Sequence, residues 1–230
     1  MPAIIPDIPT TEAAIIEMTN SVRAREKIGP VAPDKALTAA ARAFAAYLAK
    51  TNSFSHTADG KQPSERAKAA GYEHCQIAEN LALSADSRGF EARALAKETI
   101  EGWLNSPGHR ANLLAPYVTQ IGVAVARVPD KDPKYVMVEL VGRPQSLATE
   151  FQISNATKMS LRYSLASESH SIEPGMGVKH TICQPKTLAF ETAGGKSLGT
   201  PLDAKDGQVY TLVPKSGAVT VEVTARDRVK

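Results

Sequence analysis

The chain lacks most of the features that announce a function directly. No stretch reaches the roughly 18 consecutive apolar residues of a membrane-spanning helix. No charge of one sign dominates: 27 Lys and Arg stand against 24 Asp and Glu, leaving +3 over 230 residues. A balance this even offers no clustered basic face for nucleic acid. There are only two cysteines, Cys75 and Cys183, and no CxxC or Cys/His cluster, which argues against a thiolate zinc site. Ser/His/Asp order, a Gly-rich phosphate loop and a nucleophilic Cys motif are also missing. The opening Met1-Pro-Ala-Ile-Ile-Pro-Asp-Ile-Pro9 is proline-rich rather than basic-then-apolar, so it does not read as a signal peptide. The expectation is either a cytosolic chain or one whose leader has been removed.

What is present is an apolar share of 43%, enough for a core, and a length within reach of two domains. The character of the sequence changes near Gly142-Arg143-Pro144-Gln145. Residues 1–10 read as an N-terminal extension, 11–143 as one domain and 144–230 as a second. Before the change, apolar residues recur at helical spacing: Ile15, Met18 and Val22, stopped by Gly29-Pro30; then Leu37, Ala41, Phe44 and Leu48. Pro63 suits the first turn of a short helix ending at Gly71. Ala92, Ala96, Thr99 and Trp103 line a fourth helix, closed by Ser106-Pro107-Gly108. Ile121, Val123 and Val125 alternate with small residues, and Tyr135 to Val141 is an almost continuous apolar run. The turn at Pro129–Pro133 makes these two an antiparallel hairpin. Helices on a short antiparallel sheet read as α+β. After the change, short alternating segments dominate: Phe151–Ile153, Met159/Leu161/Tyr163/Leu165, Val178–Ile182, Thr187–Phe190, Val209–Val213 and Val219/Val221/Val223. Six or so strands at this spacing suggest a small β-sandwich.

Of the five histidines, His74, His170 and His180 stand without other ligand-type signals nearby. His56 lies in Asn52-Ser-Phe-Ser-His-Thr-Ala-Asp-Gly60, where Phe54 is placed to anchor the segment in the core. His109 lies in Trp103-Leu-Asn-Ser-Pro-Gly-His-Arg-Ala-Asn112, just after a Pro-Gly turn. Glu79 sits among apolar neighbours in Ile77-Ala-Glu-Asn-Leu81; it either faces out or is held by a partner, because burying a lone carboxylate is costly. Spacing alone leaves these as three separate polar residues, and lone histidines are more often structural than functional.

Residues 11–142 resemble the CAP superfamily, that of cysteine-rich secretory proteins, antigen 5 and pathogenesis-related 1 proteins, also called SCP domains. The resemblance is carried by Phe54-Ser-His56, Ala78-Glu79-Asn80-Leu81, Trp103-Leu-Asn-Ser-Pro-Gly-His-Arg-Ala-Asn112 and Ile121-Gly-Val-Ala-Val125, in that order, and is nearest the bacterial branch. It implies an α-β-α sandwich followed here by a sandwich-like all-β domain. It also implies a His/Glu/Glu/His tetrad in a cleft, often with a divalent metal on the two histidines. By position His56, Glu79 and His109 are three of the four. The second glutamate falls on Ser106, a poor metal ligand. Zinc or another divalent ion on His56 and His109 is therefore an expectation weakened by its ligand count. Arg110 and Asn112 are expected to fix the loop by hydrogen bonds to carbonyls or to Glu79, and Asn80 to secure the turn after Glu79. Lys131 and Lys134 read as solvated loop charge. Cys75 and Cys183 are either two partly buried thiols or one disulfide between the halves, the latter requiring an oxidising compartment.

The expectation that follows is a secreted or periplasmic module whose cleft binds a small ligand, a lipid or a cell-envelope component. One alternative is a metal-dependent, peptidase-like hydrolase with Glu79 as general base. The other is an adhesion protein with a vestigial cleft. Neither nucleic acid nor a transmembrane segment enters any of the three.

Overall fold

The computed structural model describes residues 2–225. It divides into two compact units, Met1–Ser146 and Leu147–Lys230.

The N-terminal unit runs α1 (Ile8–Arg25), β1 (Ala32–Pro33), α2 (Lys35–Thr51), α3 (Pro63–Ala69), β2 (His74–Ala85), α4 (Ala92–Leu104), α5 (Pro107–Leu113), β3 (Gln120–Val128) and β4 (Lys134–Pro144). Helix starts follow local chemistry. Asp7 caps α1 by accepting from the Thr10 N–H, and Asp34 caps α2 by accepting from the Leu37 N–H at 2.9 Å. Gln62 and Glu65 form a capping box on α3, with Pro63 in its first turn. The described residues before position 11 pack into the unit and do not form a separate extension: α1 already begins at Ile8, and Ile4 pairs with Gly89.

The four strands order β1-β3-β4-β2, with β3–β4 and β4–β2 antiparallel and the short β1 parallel to β3. β2, a twelve-residue strand at the sheet edge, lies where the sequence pattern assigns no element. Both sheet faces are covered. Ile121, Val123, Val125, Met137 and Val141 pack with residues of α1, α4 and α5. Ala124, Val136, Val138 and Leu140 pack with α2 and the neighbouring α3. The small face of β3 lets α2 come close: a Cβ on Gly122 would lie 2.2 Å from the Leu37 carbonyl carbon. The result is an α-β-α arrangement, with β2 as an edge reached from both layers.

The C-terminal unit holds β5 (Thr149–Asn155), β6 (Leu161–Leu165), β7 (Glu168–Ile172), β8 (Gly177–Ile182), β9 (Thr187–Thr192), β10 (Leu202–Asp203), β11 (Gln208–Lys215) and β12 (Ala218–Ala225). They form two four-stranded sheets, β10-β9-β6-β7 and β12-β11-β5-β8. Alternate residues of both sheets share one core, including Phe151, Ile153, Leu161, Tyr163, Phe190, Tyr210 and Leu212. Met159 departs from the expected inward face. It precedes β6, in the link from β5, and is 52% exposed.

Candidate functional site

The site is organised by the two-residue period of β2. Glu79 and Asn80 are neighbours on this strand, so their side chains leave opposite faces of the sheet. Glu79 is directed to the α3 side and Asn80 to the side of α1 and α5, and both are buried. Asn80 is thus a mid-strand residue and not the turn residue the sequence suggested; the whole Gln76–Ala85 run stays paired with β4.

On the α3 side, the Glu79 carboxylate is 1% exposed and both oxygens are taken. One contacts His56 Nδ1 at 2.8 Å, and the other accepts from Arg66 at 2.7 Å. A carboxylate can only accept here, so His56 carries its proton on Nδ1 and presents Nε2 outward from a half-exposed ring. Arg66, on α3, is itself buried. It donates to Asp59 and to the carbonyls of Lys61 and His56, at 2.8–2.9 Å, and its guanidinium lies 3.5 Å from the centre of the Phe44 ring. Arg66 therefore ties the His56 loop down. Phe54, expected to anchor that loop in the core, is 50% exposed. Tyr47 completes the tether by donating to the Ala58 carbonyl at 3.0 Å.

On the other side, Asn80 donates to the His109 carbonyl at 3.1 Å and to the Glu139 carboxylate at 2.9 Å. Asn112 donates to the Glu79 carbonyl at 3.0 Å and to the Asn80 side-chain oxygen at 2.9 Å. Thr19 of α1 donates to the second Glu139 oxygen at 2.9 Å. Glu139 is fully buried, and that burial pushes its carboxyl up to about 7 against the pull of Thr19, Asn80 and the Arg23 charge. Partial burial, and then the nearby His56 imidazole, holds His109 below the usual range. Arg110 does not join this network; it pairs at the surface with Glu26 at 2.8 Å. Ser106 is the extended residue before α5 and makes no capping bond through its side chain. Trp103 is core, donating to the Leu81 carbonyl at 2.9 Å.

The structure therefore brings His56 and Glu79 into contact and sets the α5 segment that carries His109 against the same strand edge. It adds Arg66, Glu139 and Thr19, which the sequence reading passed over. Glu139 did carry a signal: a lone glutamate inside an apolar strand requires a buried partner. Among the described residues, no three His, Cys, Asp or Glu side chains are placed to share a metal ion. The donor set on offer is two imidazoles, since Glu79 is committed to His56 and Arg66. That falls short of the three protein ligands of an ordinary zinc site. Neither cysteine is a free thiol.

Residues 16–140 match the cysteine-rich secretory protein family, CAP, and the chain belongs to it. Among relatives, the uncharacterized Bacillus subtilis protein YkwD is 30% identical over 113 residues, 49% of this chain and 41% of that one. The membrane protein YlbC of the same organism is 29% identical over 120 residues, 51% of this chain and 32% of its own. The chain thus spans well under half the length of these relatives. An outer surface protein of Borrelia burgdorferi shares the fold at a TM-score of 0.51 and 20% identity, covering 58% of this chain and 92% of that one.

Proposed function

We propose that the protein is an extracytoplasmic ligand-binding CAP protein, with His56 and His109 forming a recognition surface around the edge strand β2. One observation carries the reading. Glu79 is buried with both oxygens bonded, so it orients an imidazole and is not a free general base. His56 Nε2 and the His109 ring are the groups left to meet a ligand. A small polar molecule, a lipid headgroup or an envelope component suits these two imidazoles, with His56 accepting through Nε2 in this tautomer. The CAP assignment and the surface location stated for the Borrelia protein support a place outside the cytoplasm. So does the state of Cys75 and Cys183, the chain's two cysteines, neither of which is free.

A second reading is favoured by the Glu79–His56 contact. A carboxylate on Nδ1 is also the arrangement that prepares an imidazole as a base, so a hydrolase would use His56 in that role with Glu79 positioning it. The two are separated by native mass spectrometry of purified protein together with an ester and peptide substrate screen. Binding predicts a co-purifying ligand that is lost in His56→Ala and His109→Ala. Turnover abolished by His56→Ala would instead establish the hydrolase. A Zn²⁺ titration on the same variants tests the two-imidazole set directly; affinity unchanged by both substitutions would place any metal elsewhere. An intact mass that does not fall when reductant is withheld would remove the cysteine pairing.

A further inference from the structure

At one end of the C-terminal unit three connections meet: the link from β5 to β6, the segment after β9, and the β11–β12 hairpin turn. Between them is a cavity of about 700 Å³, inside the roughly 300–1,000 Å³ range of small-molecule sites. Met159, Leu198, Pro214, Ala218 and Val219 supply apolar lining. Met159 is the residue that left the expected core face. Its unbranched thioether is 52% exposed and lines the cavity, where it can adapt to the shape of a guest. The charged lining is of one sign. Lys158 and Lys196 are its charged lining residues, and among the described residues no Asp or Glu lines the cavity. The nearest acidic residue in β9, Glu191, alternates with the inward Phe190 and pairs across the sheet with the exposed Arg162, so it belongs to the outer face.

We propose that this cavity is a binding site for an anionic amphiphile, a medium-length alkyl chain bearing a carboxylate. The chain would lie on Met159, Leu198 and Val219, and the carboxylate would pair with Lys158 and Lys196. The lysine stems add apolar cover while their heads select the charge. A charged lining of lysines alone disfavours a cationic guest, so selectivity comes from repulsion as well as attraction. This site is independent of the His56/His109 surface.

Calorimetric titration of the full chain below the critical micelle concentration tests it, with octanoate, decanoate, decanol and decyltrimethylammonium as probes. Affinity for the carboxylates should rise about fourfold per added methylene, the increment for burying that group. Decanoate should bind more tightly than decanol, and decyltrimethylammonium most weakly. The double variant Lys158→Glu/Lys196→Glu should lose about tenfold for decanoate and reverse the preference between decanoate and decyltrimethylammonium. Met159→Ser, at an exposed position, should weaken every probe without moving the unfolding midpoint. His56→Ala should leave decanoate binding unchanged. Decanol binding as tightly as decanoate, decanoate affinity indifferent to both sets of substitutions, or no saturable binding at all would overturn the proposal.

Discussion

The two units bury different kinds of side chain. In the N-terminal unit Arg23, Arg66 and Glu79 are buried as charged groups, Glu139 is buried with its pKa raised, and Asn80 and Thr19 are buried with them. In the C-terminal unit the buried non-aromatic polar side chains among the described residues are Asn155 and Thr157, both uncharged. Burying an ion is costly unless it is paired and bonded, and an apolar replacement of similar volume is often as stable. The C-terminal unit follows the cheaper route throughout its core. The N-terminal unit departs from it around the edge strand β2, which is where His56 and His109 are held. Buried ionic pairs here accompany the positioning of exposed groups, and the unit without them offers an apolar cavity instead.

The sharpest way to break this comparison is to remove one anchor from each unit. Arg66→Ala leaves the Glu79 carboxylate buried without its cation and should cost about 3–5 kcal/mol. Phe151→Ala, at a 1% exposed core position, should cost a similar ~3–5 kcal/mol through a cavity. Conservative variants separate the two causes in chemical denaturation. Phe151→Leu should recover much of the loss, because volume is what the site needs. Arg66→Lys should not, because a single ammonium cannot reproduce the fork that meets Asp59, Lys61, His56 and Glu79 together. If Arg66→Lys is as stable as the wild type, the fork is not what holds the loop.

The next effect is a pH dependence at Glu139, in the N-terminal unit. Glu139 has a folded pKa of about 7, above the usual 4.5, so the folded state holds its proton more tightly than the unfolded chain. Its contribution is fully present below the unfolded value and is lost as pH rises through about 7. Glu139→Gln keeps partners for Thr19 and Asn80 but cannot ionise. Across that window the wild type should lose about 3 kcal/mol relative to the variant, read from denaturant midpoints at several pH values. Parallel pH curves for the two proteins would show that Glu139 does not titrate in this range. The smallest effect is Phe54→Ala, where a half-exposed ring predicts a change within about 0.5 kcal/mol. A larger loss in the same measurement would restore Phe54 as the anchor of the His56 loop.

Much of this was legible from residue order. The helices around Leu37–Leu48 and Ala92–Trp103 carry a strong 3.6-residue period, and the β3–β4 hairpin shows both alternation and a turn. The four family segments bring His56, Glu79 and His109 together because motif order survives where spacing alone is ambiguous. β2 was not legible. It is an edge strand that is mixed in character, with Glu79 and Asn80 interrupting its apolar residues, and its polar positions make sense only beside partners far away in the chain. Arg66 was hidden for the same reason: in Pro63–Ala69 it looks like any surface helix arginine, and its burial depends on Glu79, thirteen residues on. Met159 continues the alternation of β6 on paper, but the chain turns before reaching it.

The row from Thr19 through Glu139 and Asn80 to Asn112 joins α1, β4, β2 and α5 by side chains alone. Each member uses a donor or acceptor that only its neighbour can match. A drift at one position is therefore not a local event. Among descendants of this sequence, these four residues should be inherited as a block, kept together or replaced together, while the exposed His56 and partly buried His109 imidazoles beside them are free to diverge with whatever they meet.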